Sequence, residues 1–271
     1  MTHYNITMPP RSKADKPAPL FSIITVTYNA QATIVPTLDS VDRQTCTHYE
    51  HLIIDGASTD NTLDIAREHP NSHRRVFSSP DNGIYDAMNK GIAMASGDYL
   101  VFLNSGDALH SPDTLQLIAD AIINNGFPGV VYGQTQVVGK DRAKLADRHL
   151  TAPEKLTYES FADGMVVCHQ AFVALRRICD EYDLRYRFSA DYEWCIRVLQ
   201  HSRHNVAIFD EPLVDYLAGG MSAKNRRKSL VERFKIMCYY YGFFPTVARH
   251  LKFIPRYLRR SRLERKFASK I

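Results

Sequence analysis

Two aspartates in this sequence stand just after runs of apolar residues. Asp55 closes HYEHLIID, and Asp107 follows FLNSG, where Asn104, Ser105 and Gly106 turn the chain. A carboxylate fixed at the end of a buried strand can accept hydrogen bonds from a nucleobase edge or a ribose. It can also hold a divalent ion that bridges diphosphate oxygens. The Tyr28-Asn29 turn after FSIITVT is a third such end. Asp191 and Glu193 form a different pair in RFSADYEWCIRVLQ, at the start of a helical pattern whose apolar stripe is Trp194, Ile196, Val198 and Leu199. Only one of these two needs to face a pocket. The competing reading of each aspartate is a turn or helix cap.

The elements that must position these groups follow from hydrophobic periodicity. FSIITVTYNA is a nearly continuous β-branched and apolar run, the pattern of a central strand buried on both faces and ending near Thr27. Ile34, Leu38 and Val41 make a helical stripe, after which a second strand ends at Asp55. GASTDNTLDIAREH predicts a turn and a helix capped by Ser58 or Thr59, and RRVFSS predicts a third strand. After the PDNG turn, Ile84, Met88, Ile92 and Ala95 recur at helical spacing, Gly97 is expected to stop the helix, and DYLVFLN is the fourth strand. This alternation predicts an open, doubly wound α/β sheet whose ligands sit at the carboxyl ends of the strands, bringing Tyr28-Asn29, Asp55 and Asp107 to one rim. Residues 133–190 are less regular. A helix near 190–200, the strand NVAIFD and a Gly219-Gly220 loop follow.

The chain has 271 residues and is 45% hydrophobic, enough for one large α/β domain. Residues 1–19 are polar and proline-rich, the pattern of a mobile tail. Five scattered cysteines without a C-x-x-C pair fit reduced thiols rather than a disulfide framework or a zinc site. With no apolar run long enough to span a bilayer and no signal-peptide core, the expected location is the cytoplasm. The net charge of +5 is unevenly spread: residues 224–271 carry fifteen Lys or Arg against two acidic residues, so removing that +13 leaves −8 on the rest.

FSIITVTYNA, EHLIIDGASTDNT, GIYDAMNKGIAMASGDYLVFLNSGD and SADYEW, in this order and spacing, resemble the successive motifs of family 2 glycosyltransferases over residues 20–222. The resemblance implies the GT-A fold, a nucleotide-binding α/β/α sandwich with a mixed, mostly parallel central sheet. It implies a donor half at 20–110 and an acceptor half at 111–222; beyond it, charge and aromatic composition predict a basic, aromatic, helical C-terminal extension at 223–271. The family uses nucleotide sugars, usually with Mn2+ or Mg2+, and inverts the anomeric centre. It implies that Thr27, Tyr28 and Asn29 line the nucleotide pocket, that Asp55 meets the base, usually uracil, and that Asp60 buttresses its loop. Asp86 and Lys90 match positions facing the nucleotide or its diphosphate. FLNSGD stands where the family has D-x-D; Asn104 replaces the first acid, Asn104 and Ser105 fall to the nucleotide side, and Asp107 is left as the metal ligand. Asp191 matches the general base. Gly164, His169 and Gln170, in DGMVVCHQ, match the acceptor-side segment that positions substrate, with Glu193 secondary. His169 as a second metal ligand is the alternative to a hydrogen-bonded structural histidine. The loop at 219–222, with Lys224, Arg226 and Arg227, resembles a segment that closes over the diphosphate.

The implied activity is transfer from a nucleotide sugar, usually a UDP-sugar, to a saccharide or lipid-linked acceptor in bacterial surface polysaccharide assembly. A sugar nucleotidyltransferase would carry a Gly-rich basic phosphate loop after strand one, which TYNAQAT lacks. An inactive glycan-binding scaffold is the other alternative, and the presence of both Asp107 and Asp191 argues against it. Aromatic and basic residues interleave through 233–271, as in a segment lying on an anionic membrane surface; a helix packed on the domain is the competing reading. No nucleic-acid module is recognisable.

Overall fold

The computed structural model describes residues 19–148, 150–219 and 225–251. Of the features above, the N-terminal tail up to residue 18, the loop at 220–224 and residues 252–271 lie outside the described residues.

Seven strands form the main sheet in the order β10-β6-β9-β4-β1-β2-β3. They are β1 (Phe21–Thr27), β2 (Tyr49–Asp55), β3 (Arg74–Ser78), β4 (Tyr99–Phe102), β6 (Val130–Gly133), β9 (Phe172–Leu175) and β10 (Asn205–Ile208). Neighbours run parallel except β9, which is antiparallel to both β4 and β6. Every residue of β1 is buried, as its two-faced apolar run requires. The register pairs Thr27 with Asp55, so the ends of β1 and β2 lie level.

The helices are α1 (Ile34–Asp42), α2 (Thr62–Glu68), α3 (Ile84–Met94), α4 (Thr114–Asn124), α5 (Ala190–His201) and α6 (Arg226–Tyr241). Ile34, Leu38 and Val41 of α1 are buried, as are Trp194, Ile196, Val198 and Leu199 of α5. Truncating a buried aromatic such as Trp194 costs roughly 3–5 kcal/mol. A smaller sheet, β5-β11-β7-β8, consists of β5 (Ala108–Leu109), β7 (Thr135–Val138), β8 (Lys144–Asp147) and β11 (Val214–Leu217).

Two local expectations are corrected. α2 starts at Thr62 with Asn61 as its cap residue, because Ser58 spends its hydroxyl on Asp55 and Asp60 accepts from the Thr62 amide instead. α3 ends at Met94, before Gly97. That glycine is required because a Cβ there would lie 2.6 Å from the backbone of Phe21 and Ser22, so it serves close packing on β1 rather than helix termination.

The C-terminal helix packs on the domain. Ile236 and Met237 are buried, Glu232 accepts from the amides of Arg187 and Phe188, and Tyr240 donates to Glu193.

Candidate active site

The strand ends form one rim, with the Asp55 and Asp107 segments on opposite sides of β1. Asp55 is 1% exposed and accepts from the Ser58 amide at 2.9 Å, the Ser58 hydroxyl and the Ser78 hydroxyl at 2.7 Å. Asn29 takes a left-handed conformation (φ 47°), which directs its amide to Ser58 Oγ at 2.8 Å and lets its side-chain oxygen accept from the Thr59 amide at 2.9 Å. Asp60 accepts from the amides of Gln31 and Thr62, so it buttresses the loop. Tyr28, 64% exposed, stands above this locked turn beside Gly56, where a Cβ would strike the Asp81 carboxylate.

Asp107 lies five residues past the end of β4. Gly106 makes the turn (φ +102°) and leaves no room for a side chain, since a Cβ would lie 2.8 Å from Leu217 Cδ2. The polar stripe of α1 clamps this loop: Thr37 donates to the Asp107 carbonyl at 2.6 Å and accepts from the Gly106 amide at 2.9 Å, and Ser40 accepts from the Leu109 amide. The Asp107 carboxylate is held from two sides. The Leu217 amide, at the end of β11, donates to Oδ1 at 2.9 Å, and Gln170 Nε2 donates to Oδ2 at 2.7 Å. The Cys168 thiol donates to Gln170 Oε1, which fixes the amide with its nitrogen toward Asp107. Burial pushes the Asp107 carboxyl up to about 7, against the pull of these two donors and the nearby Arg142 cation. Arg142 also donates to the Gly106 carbonyl at 2.8 Å.

Thr27 Oγ1, Asn104 Oδ1 and Ser105 Oγ are buried without a hydrogen-bond partner in the structure. Orphaned oxygens at the ends of adjacent strands are what a ligand site leaves when its ligand is absent. Oxygen donors of this kind, with the remaining lone pairs of Asp107, are of the type that Mg2+ or Mn2+ takes. No group of three or more His, Cys, Asp or Glu converges among the described residues, so such an ion would draw much of its coordination from substrate phosphate.

Asp86 and Lys90 lie half-buried on α3. Asp86 accepts from the Asn82 amide, and Lys90 donates to the Pro80 carbonyl at 2.6 Å and to Ser79 Oγ, so both secure the loop before the helix.

Asp191 falls in the first turn of α5, after Ser189 at the cap position, whose side chain makes no cap hydrogen bond. Its Oδ1 accepts from the Tyr85 hydroxyl and from the Tyr192 amide, each at 2.9 Å. Beneath it lies an aromatic cluster: Tyr182 stacks on Tyr85 (5.5 Å) and on Trp194 (5.1 Å). His169 belongs to this cluster. It is 3% exposed, stacked on Phe102, and hydrogen-bonded through Nε2 to the Tyr182 hydroxyl; burial lowers it to about 4 and keeps it neutral. It is a hydrogen-bonded histidine of the interior. Gly164 takes φ +107° at the end of a short 3-10 turn, and Glu193 is paired with Arg197 and Tyr240, facing α6.

Tyr85, Tyr182 and Arg142 were not singled out in the sequence. A tyrosine on the buried face of a helix needs a partner for its hydroxyl, a signal that could have flagged Tyr85. Nothing in the local sequence ties Arg142 to a loop some 35 residues earlier.

A mixed, mostly parallel GT-A sheet with a polar rim at its strand ends defines the class. Residues 22–182 match the family model described as Glycosyl transferase family 2, and the chain belongs to that family of enzymes. A PGL/p-HBAD biosynthesis glycosyltransferase of Mycobacterium bovis is 37% identical over 186 residues, which is 66% of this chain and 70% of that protein. Among solved structures, Staphylococcus aureus TarS superposes with a TM-score of 0.65 at 18% identity, covering 81% of this chain and 39% of TarS. Its 1–349 fragment has been solved with UDP and with UDP-GlcNAc. The mannosyltransferase PcManGT of Pyrobaculum calidifontis, solved with GDP-Man and Mn2+, gives 0.57 at 15% identity, covering 88% of this chain and 75% of its own.

Proposed function

We propose that this chain transfers a hexosyl or N-acetylhexosaminyl unit from a UDP-sugar to a saccharide or lipid-linked saccharide acceptor, with inversion, in bacterial surface polysaccharide assembly. The observation that carries the reading is Asp191 on α5, whose Oδ1 is held by Tyr85 and Tyr192 while Oδ2 has no hydrogen bond to another described residue, in a chain that also keeps Asp107 at its strand-end rim. The UDP-GlcNAc bound by the TarS fragment supports a UDP-sugar donor.

In this reading residues 20–110 supply the donor half and 111–222 the acceptor half. Thr27, Tyr28, Asn29 and Asp55 receive the nucleoside, Asn104 and Ser105 offer their orphaned oxygens beside it, and Asp86 and Lys90 shape the neighbouring loop. Asp107, with Asn104, would hold Mg2+ or Mn2+, which supplies positive charge against the departing diphosphate. Gln170 fixes Asp107, while Gly164, His169 and Glu193 shape the acceptor side. The acceptor hydroxyl oxygen bonds to the anomeric carbon from the face opposite the nucleotide. The bond from that carbon to the phosphate oxygen breaks, its electron pair leaves on UDP, and the hydroxyl proton passes to Asp191 Oδ2.

Asp191→Asn keeps the shape and removes the base. Transfer, read as UDP release across a panel of nucleotide sugars, is expected to fall on the order of 10²–10⁴-fold with UDP affinity retained. Equal loss of binding and turnover would contradict the assignment.

A membrane surface is the proposed partner of the C-terminal region, which sets the expected location as cytoplasmic and peripheral. Among the described residues no helix is long and apolar enough to cross a membrane. Arg227, Val231, Lys235 and Tyr239 repeat every four residues along the exposed face of α6, and Phe243 and Phe244, the latter 83% exposed, follow at the Gly242 break. The sequence then adds eight Lys or Arg against one Glu at 252–271. Aromatic side chains beside basic ones suit the interface of an anionic bilayer, where each cation contributes about 1 kcal/mol. Flotation with phosphatidylglycerol vesicles at low salt should recover the wild type and much less of a Phe243→Ala/Phe244→Ala variant; equal recovery of both would remove the aromatic pair from the interface.

A further inference from the structure

The geometry assigns Tyr85 as the residue that positions Asp191 for its work as base: its hydroxyl saturates Oδ1 and leaves Oδ2 as the proton acceptor. The inference rests on the proposed role of Asp191. Tyr85 stands on α3, in the donor half, and reaches across to α5, 106 residues further along the chain, with a hydrogen bond of 2.9 Å.

Three features make this contact directional. First, the Tyr192 amide donates to the same oxygen, so Oδ1 has two donors and the carboxylate cannot rotate without losing both. Second, the phenol is fixed from below. Its ring stacks on Tyr182, Tyr182 stacks on Trp194, and Asn89, one helical turn from Tyr85, exchanges hydrogen bonds with the Tyr182 backbone at 3.0 and 2.6 Å. Third, burial and the Asp191 charge push the Tyr85 phenol well above its ordinary value, so it remains a donor at any working pH. A hydrogen bond to the ionised form of a carboxylate favours that form, and a fixed orientation keeps the open oxygen aimed at the acceptor.

The surroundings isolate the effect. Among the described residues, Tyr85, His169, Tyr182, Cys195 and Tyr216 feel the Asp191 charge, and Arg233 of α6 faces Tyr85. His169 is lowered to about 4, Tyr216 is raised to about 12, and Tyr182 and Cys195 are pushed well up by burial. None of these changes charge between pH 5 and 8. Asp107, pushed up to about 7 by burial, does change charge in that window, so the effect is read above it, at pH 8.5, as kcat against the donor KM.

The test uses the full chain and Tyr85→Phe, which keeps the ring and its stacking. At pH 8.5, expected are a fall in kcat of roughly 10- to 100-fold, as for loss of a hydrogen bond to a charged group, with UDP affinity and the donor KM unchanged. Tyr182→Phe, which removes a buried hydroxyl from the same cluster without touching Asp191, should not reproduce that split. Unchanged kcat in Tyr85→Phe, a parallel loss of UDP affinity or donor KM, or an equal fall of kcat in Tyr182→Phe would overturn the inference. Wild-type turnover in Asp191→Asn would instead overturn the base assignment, so the two failures are separable.

Discussion

Asp107 and Asp191 are both aspartates proposed to serve one reaction, yet the protein treats them in opposite ways. Asp107 is 4% exposed, with one donor on each oxygen and burial raising it to about 7. Asp191 is half-buried, with two donors on one oxygen and none from described residues on the other. A carboxylate braced symmetrically is fixed in place and offers only its remaining lone pairs, which suits a ligand to a hard cation. A carboxylate braced on one side presents a directed basic oxygen, which suits proton transfer. The pattern of hydrogen bonds, more than residue type, separates the two roles proposed for them.

The sharpest way to break this comparison is to remove each carboxylate and ask which assay fails. Asp191→Asn should abolish most turnover and spare UDP binding. Asp107→Ala should weaken Mn2+-dependent UDP binding on the order of 10- to 100-fold, from loss of a charged contact. Calorimetry with and without Mn2+ separates them. Unchanged affinity in Asp107→Ala would mean that the rim holds diphosphate by other groups, leaving Asp107 as a brace between β11 and the 169–170 turn.

The next effect is a pH dependence confined to the donor side. Binding of a cation requires the Asp107 anion, and its raised value means that a proton competes near neutrality. Mn2+-dependent UDP affinity should therefore rise as pH increases from 6 toward 8, by up to about tenfold, and level off above. Isothermal titration at constant ionic strength reads this directly. A flat profile in that window would place the Asp107 carboxyl back in the ordinary acid range.

The donor rim was far more legible in the sequence than the acceptor side, for a physical reason. β1, β2 and β4 are buried on both faces, so apolar residues run nearly continuously toward their ends, which are marked by polar turns. Tyr28, Asn29, Asp55 and Asp107 could be placed at one end of the sheet from that pattern alone. The insertion of β9 antiparallel between β4 and β6 could not, because Phe172–Leu175 is a four-residue run whose direction depends on the long path before it. The order of motifs pointed to Asp191, whereas the Tyr85 contact joins residues 106 apart and depends on how α3 and α5 pack. Ser58 was misread as a helix cap because serine serves equally well in an Asx-type turn, and Asp55, three residues earlier, claims it.

The smallest effect asks whether the symmetry around Asp107 is necessary. Gln170→Leu removes the donor on Oδ2 and leaves that oxygen buried and unpaired, while the Leu217 amide still holds Oδ1. Losing a donor to the charged form favours the neutral acid, so the pH curve for Mn2+-dependent UDP binding should move upward and affinity at pH 7 should drop severalfold. At pH 8.5 and saturating Mn2+ most of that loss should be recovered, because the remaining deficit is positional rather than protonic. Gln170→Glu provides the opposite case: a second carboxylate beside Asp107 disfavours its ionisation by like charge, so its curve should move further still. If both variants keep the wild-type curve, the Gln170 amide serves the fold alone. The orientation of Asp107 would then rest on Leu217 and the Thr37 clamp.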